Sequence, residues 1–236
     1  MRYATRYATA AVLTTLSAMA LPAAAENAPA PPYLMTDANT VTIAVTWKAE
    51  SLTGLLPAGV TPAEDLSGGL NVYDAEAGYG LTPYSAAYAY VNLAGWDSAS
   101  GAPARHILGG WYGPDPKVAA AMRTHFGAAV ATGDAGQTED GDLWTGTGGD
   151  GAGTIELVVR PSGDCVAGGG TLNYVAEAGG GAGLGLLQIP FTGDYCMAEP
   201  VSVEISGPEG SALAQIEVDE MLAGGRLRNG AFTFTK

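Results

Sequence analysis

The chain has 236 residues, including 35 glycines and 14 prolines, with 47% hydrophobic and only 14% charged residues. Its 10 basic and 24 acidic residues give a net charge of −14, which argues against nucleic-acid binding through a basic surface. The apolar content argues against a disordered chain, and glycine throughout the sequence disfavours a long helical bundle. The composition therefore predicts an acidic, turn-rich, mostly β globular protein.

Residues 1–25 have the features of a secretory signal peptide. Arg2 and Arg6 give a positive start, an apolar stretch follows, and Ala23-Ala24-Ala25 supplies a cleavage site. The apolar stretch is shorter than the roughly 20 residues of a membrane span, and no other segment is long enough. We expect a periplasmic or secreted protein with no membrane span. Cleavage leaves 211 residues and a net charge of −16, because both arginines are lost.

The only two cysteines are Cys165 and Cys196. An even count in an oxidising compartment predicts a disulfide. Two free thiols or a pair of metal ligands are the alternatives, and the absence of a nearby histidine disfavours the metal.

The mature chain divides into a Pro/Ala-rich tether, residues 26–39, and one domain, residues 40–236. Alternation of apolar and polar residues predicts strands over 40–47 and 69–74, and residues 51–56 suggest a short helical turn. Residues 84–93 form the most marked strand, and their Tyr/Ala pattern predicts that both faces are covered.

One helix is clearly delimited. Asp115 can cap its start, Pro116 suits the first helical position, and Gly127 ends it. Turn signals at Asp140-Gly141 and Asp150-Gly151 predict hairpins. Further elements are predicted as strands over 155–159, 171–175, 184–189, 201–205 and 231–235, with a second helix over 211–222. The predicted fold is α+β, mostly β, with antiparallel sheets.

Several familiar site motifs are absent or lack their context. Residues 146–151 match a dinucleotide-binding fingerprint, but they open no helix. His106 and His125 are the only histidines, and their spacing fits no zinc motif, so no metal is expected. The acidic stretch 134–150 carries oxygen ligands of the kind that calcium uses, without a calcium-loop spacing. A solvated hairpin is favoured there, and calcium is the alternative.

Lysine is rare, with only Lys48, Lys117 and Lys236 in the chain. Lys117 lies at the second position of the predicted helix, where the helix dipole slightly disfavours an ammonium. A nucleophilic lysine needs burial or a second cation close by, and the sequence places no second cation beside Lys117. The residue chemistry by itself favours an ordinary solvated lysine.

The order of several short motifs in the first half of the chain nevertheless resembles that of the acetoacetate decarboxylase family. These motifs are Leu55-Leu56-Pro57, Val60-Thr61-Pro62, residues 78–80, Tyr84-Ser85, residues 88–93, Gly109-Gly110 and Pro116-Lys117. The resemblance implies curved antiparallel sheets that close around a central pocket. It also implies that Lys117 is the Schiff-base lysine, so that an imine with this protein lysine replaces any cofactor.

The family's other catalytic positions differ in this sequence. Val118 stands where the family has a second lysine, and Gly110-Trp111 stands where it has Arg-Glu. Ala86 stands where the family's Tyr-x-Glu motif has its glutamate. The scaffold and one lysine are therefore retained, while the usual acid, base and neighbouring cation are not.

The sequence is compatible with three functions. The first is Schiff-base chemistry on a small keto acid through Lys117, with Asp115 or His106 nearest for proton transfer and Tyr84, Tyr88 and Trp111 lining the pocket. The second is a non-catalytic relative that binds a small ligand in the periplasm. The third is a structural β-domain without a ligand.

Overall fold

A computed structural model describes residues 28–81, 83–98, 101–177 and 183–235. The predicted signal peptide and Lys236 lie outside these residues. Ten strands, two α-helices and one 3₁₀ turn make up the described part of the chain. Their bounds are β1 Tyr33–Trp47, the 3₁₀ turn Ala49–Leu52, β2 Ser67–Tyr79, β3 Tyr84–Leu93, β4 Ala104–Gly113, α1 Pro116–Phe126, β5 Ala131–Thr132, β6 Asp134–Asp140, β7 Leu143–Gly149, β8 Thr154–Glu177, β9 Leu184–Ser206, α2 Ala212–Gln215 and β10 Val218–Phe234.

The strands form one largely antiparallel sheet that closes on itself. Its order is β5-β4-β3-β2-β1-β10-β9-β8-β7-β6, and an additional parallel pairing joins β4 to β8. Two residue pairs make that junction, Ala104 with Asn173 and Arg105 with Tyr174. Strands β4, β3, β2, β1, β10, β9 and β8 therefore form a closed ring, with β5, β6 and β7 outside it. The predicted fold class of curved antiparallel sheets is confirmed.

Two apolar clusters lie on opposite faces of the sheet. On β1, Val41, Ile43 and Val45 point into the first cluster, while Thr40 and Thr42 point to the second side. This alternation follows from the two-residue period of a strand. The second cluster contains most of the tyrosines and the buried side of α1.

Close packing of strands explains the glycines that resemble a dinucleotide fingerprint. A Cβ atom on Gly146 would lie 2.8 Å from Cβ of Val72, and one on Gly148 would lie 2.5 Å from Cβ of Ala87. Strand β7 therefore crosses the first cluster at a distance that only glycine allows.

Two predicted elements are confirmed at their predicted bounds. Strand β3 covers residues 84–93 with both faces buried. Helix α1 begins after Asp115, whose carboxylate accepts a hydrogen bond from the Lys117 amide at 3.0 Å, and ends at left-handed Gly127. Local capping chemistry therefore determined this helix.

Other predicted elements differ from the structure. Strand β1 begins at Tyr33, inside the predicted tether, because Tyr33 and Met35 are buried and pair with the last strand. Only residues 212–215 of the predicted helix 211–222 are helical, because the segment from Val218 onward pairs with β1. The four short strands predicted over 155–205 are two long ones, β8 and β9, which continue through Pro161 and Pro200.

The predicted disulfide is confirmed. Cys165 on β8 lies opposite Cys196 on β9, and their sulfurs are bonded. The bond joins the two strands at the base of their outer half, which we call the distal hairpin (residues 166–177 and 184–195). In the part of the chain that the structure describes, no helix has the length and apolar character needed to cross a membrane.

Removal of the disulfide tests how far it stabilises the fold. We expect the double variant Cys165→Ala, Cys196→Ala to lose about 3–4 kcal/mol in free energy of unfolding, because a link across 31 positions restricts the unfolded chain. Urea denaturation of the oxidised protein and the variant measures the difference. Wild-type protein under reducing conditions should unfold as the variant does, and a difference below about 1 kcal/mol would contradict the expectation.

Candidate functional site

A cavity of about 320 Å³ lies on the second side of the sheet. Its floor comes from β1 to β4, one wall comes from the C-terminal half of α1, and the distal hairpin supplies another wall. Tyr195, which is 40% exposed, lies where the cavity meets solvent. The apolar part of the lining includes several large side chains: Met122, Phe126, Leu172, Leu187, Phe191, Phe232 and Phe234.

Hydrogen-bonded tyrosines form the polar part of the lining. The hydroxyl oxygens of Tyr88 and Tyr174 are 2.8 Å apart, and Nδ2 of Asn71 donates to the Tyr88 oxygen at 2.9 Å. The Tyr73 hydroxyl pairs with that of Tyr84 at 2.8 Å. Burial raises the pKa of Tyr73 and of Tyr88 well above the ordinary value, so both are neutral phenols at physiological pH.

Arg105 is the formally charged residue of the described lining. Its guanidinium carbon lies 4.4 Å from the centre of the Tyr90 ring, and the Tyr174 hydroxyl lies beside it. None of the ion pairs among the described residues includes Arg105. A guanidinium has five N–H donors and stays charged, so most of its capacity to bind an anion is unused.

His106 lies at the junction of β4 with β8. Its Nδ1 is 3.0 Å from the carbonyl oxygen of Val175, and burial lowers the pKa of His106. Since a carbonyl only accepts, Nδ1 carries the proton of the neutral ring, and Nε2 is an acceptor. The cavity therefore combines one fixed cation with neutral donors and acceptors.

The structure brings together only part of the predicted site. Tyr88 and His106 line the cavity. Tyr84 lies behind it, stacked on Tyr112 with 6.1 Å between the ring centres. Trp111 faces the first apolar cluster, because it alternates with Tyr112 along β4.

Lys117 and Asp115 lie outside the cavity. Both side chains are exposed to solvent, because the adjacent Val118 and the later Met122 turn the opposite side of α1 towards the sheet. Lys48 is also outside and pairs with Glu217 at 2.7 Å. The lysine that the resemblance implies as the Schiff-base residue therefore does not line this cavity.

The acidic stretch 134–150 forms the β6–β7 hairpin. Within the described ranges, no three histidine, cysteine or carboxylate side chains come close enough to hold a metal ion.

No protein-family model and no curated protein matches the sequence, but several solved structures do. Acetoacetate decarboxylase from Legionella pneumophila has a TM-score of 0.63 at 13% identity, with 94% of this chain and 96% of that chain covered. An acetoacetate decarboxylase-like enzyme from Sphingomonas wittichii RW1 has a TM-score of 0.59 at 16% identity, with the same coverage. The enduracididine biosynthesis enzyme MppR has a TM-score of 0.63 at 11% identity, with 87% and 86% covered.

This chain has the acetoacetate decarboxylase fold. The fold implied by the order of motifs in the first half of the sequence is therefore confirmed. TM-scores of 0.59–0.63 establish the fold, whereas identities of only 11–16% leave the chemistry to the residues of this chain.

Sequence reasoning missed Arg105, Tyr90 and Tyr174 in this version of the fold. Strand β4 was not predicted, because Gly109-Gly110 and an unpaired residue at Leu108 interrupt its alternation. One signal was available: Arg105 is the only lysine or arginine between positions 84 and 113.

Histidine burial predicts a pH effect on stability. The pKa of His106 is lower in the folded protein than in the unfolded chain. As pH falls, the imidazole of the unfolded chain is therefore protonated before that of the folded protein. The contribution of neutral His106 to the free energy of unfolding is therefore fully present above the ordinary pKa of about 6.5. It is lost as pH falls through the pKa of His106 in the folded protein. We expect wild-type Tm to fall more between pH 8 and 5.5 than that of His106→Asn, whose amide can still donate to Val175. Parallel Tm profiles would contradict this.

Proposed function

We propose that this protein is an exported relative of the acetoacetate decarboxylase family that binds a small organic ligand in the cavity, without forming an imine through Lys117. The observation that carries the proposal is the composition of the lining. Tyrosine hydroxyls, Arg105 and His106 surround the cavity, whereas Lys48 and Lys117 lie outside it.

The chemistry of imine formation supports this reading. A lysine must be unprotonated to attack a carbonyl, which requires burial or a second cation to lower its pKa. Lys117 is exposed, and Val118 occupies the position next to it. Lys117 is therefore not buried, and the residue that follows it in the sequence is not a cation.

The cavity has the properties of a ligand site. It is concave and mostly apolar, and it carries a few fixed polar groups, as small-molecule sites do. MppR, which has a similar fold, has been solved in complex with pyruvate and with the condensation product of pyruvate and imidazole 4-carboxaldehyde. These complexes support the assignment of ligand binding to the fold.

A substitution that fills the cavity tests binding. Ala44 lies on β1 and lines the cavity, whereas Ala167 lies exposed on β8, outside it. We expect small aromatic and keto acids to shift the NMR signals of the cavity tyrosines in the wild type and in Ala167→Phe. The shifts should be lost in Ala44→Phe, because the added ring occupies the ligand volume. Binding that survives in Ala44→Phe would contradict the proposal.

Imine trapping tests the alternative function, which is Schiff-base chemistry at Lys117. The protein is incubated with acetoacetate or pyruvate, reduced with borohydride and mapped by peptide mass spectrometry. The proposal expects no adduct on Lys117. An adduct there that disappears in Lys117→Ala would establish Schiff-base chemistry in its place.

The export part of the proposal is tested by expression of the full chain in a Gram-negative host. We expect a periplasmic product that begins at Glu26 and carries the Cys165–Cys196 bond, because residues 1–25 have a positive start, an apolar stretch and a small-residue cleavage site. A variant without residues 1–25 is the control and should remain in the cytoplasm. Full-length protein retained in the cytoplasm would contradict export.

A further inference from the structure

The strongest unexplained feature of the cavity is a cation without a counter-ion. Arg105 is largely enclosed, yet none of the ion pairs found in the described ranges includes it, although the sequence has 24 acidic residues. Withdrawing a charge from water is unfavourable unless an opposite charge or several hydrogen bonds replace the water. Its known neighbours are the face of Tyr90 and the hydroxyl of Tyr174, and neither is a carboxylate.

The surroundings of Arg105 favour a carboxylate over other anions. The guanidinium presents planar, paired donors, which match the two oxygens of a carboxylate. A series of polar contacts runs from Arg105 through the hydroxyls of Tyr174 and Tyr88 to the amide of Asn71. These contacts form one polar region that can bind one carboxylate. A second formal charge on the ligand would have no partner among the described lining residues.

The rest of the cavity determines the body of the ligand. Aromatic rings and aliphatic chains from α1, β9 and β10 form much of the lining, among them Phe126, Phe191 and Phe232. The volume of about 320 Å³ equals that of about ten liquid waters and lies at the lower limit for drug-sized ligands. A three- or four-carbon keto acid would leave most of this apolar volume unfilled.

We propose that the ligand is a hydrophobic monocarboxylate with on the order of ten to fifteen non-hydrogen atoms, held by its carboxylate at Arg105 and Tyr174. This inference rests on the proposed function and adds the ligand class to it. The apolar body packs against the aromatic and aliphatic side chains that line the cavity.

Three probes separate the contributions of charge and size. They are 4-phenylbutyrate, its neutral amide of the same shape, and pyruvate, each titrated by calorimetry at pH 7.5. We expect the wild type to bind 4-phenylbutyrate about tenfold or more tightly than the amide, because only the acid neutralises Arg105. Pyruvate should bind more weakly than 4-phenylbutyrate by a similar factor, because it buries little apolar surface.

Arginine variants assign the preference to one residue. Arg105→Gln should bind the acid and the amide with nearly equal affinity, and Arg105→Lys should retain a preference for the acid. Arg160→Gln is the matched control, because Arg160 is exposed and pairs with Asp142 away from the cavity, and it should behave as the wild type does. Should Arg105→Gln fail to fold, the acid-to-amide ratio of the wild type still decides the role of charge.

The outcomes distinguish this inference from the proposed function. Equal binding of acid and amide by the wild type, or a preference that survives in Arg105→Gln, overturns the carboxylate assignment and leaves ligand binding intact. Pyruvate that binds as tightly as 4-phenylbutyrate overturns the size assignment. If none of the three probes shifts the cavity tyrosines, the proposed function fails together with the inference.

Discussion

Two residue pairs, Ala104 with Asn173 and Arg105 with Tyr174, join β4 to the distal hairpin and close the sheet into a ring. The tyrosines on the second side depend on this junction, because the distal hairpin supplies a wall of the cavity that they line. Two further hydrogen bonds reinforce it, from His106 to Val175 and between Tyr88 and Tyr174. Ring closure and cavity formation therefore involve the same residues.

The same junction explains the electrostatics of the site. It holds Arg105 in a poorly hydrated region beside tyrosine side chains, where an opposite charge is attracted more strongly than in water. The protein as a whole has a net charge of −14, which repels anions at long range. A ligand with an apolar body offsets that repulsion by the surface it buries, whereas a small and highly polar anion has little to offset it.

The fold of this chain is shared with proteins of very different sequence. Most of this chain superposes on an acetoacetate decarboxylase, an acetoacetate decarboxylase-like enzyme and MppR at 11–16% identity, which requires only that apolar pattern and strand order be kept. Schiff-base chemistry has stricter demands, since its lysine must be buried or close to another cation. Lys117 keeps its place in the sequence order at the start of α1, and that place is exposed to solvent. In this chain, the order of the motifs therefore indicates the fold, but it does not establish Schiff-base chemistry.

Local chemistry determined what the sequence could predict by itself. The bounds of α1 follow from Asp115 and Gly127, strand β3 follows from its own pattern, and the disulfide follows from two cysteines in a chain predicted to be exported. These features depend on neighbouring residues or on a count, so they can be read without knowing the fold.

Tertiary structure decided the remainder. The segment after Val218 has helix-forming residues but becomes a strand, because β1 offers it an apolar partner along its length. Arg105 and Tyr174 are 69 positions apart in the sequence and meet only where the ring closes. The sequence by itself therefore determined the fold class, the one clear helix and the disulfide, while the identity of the site depended on long-range pairing that no local pattern encodes.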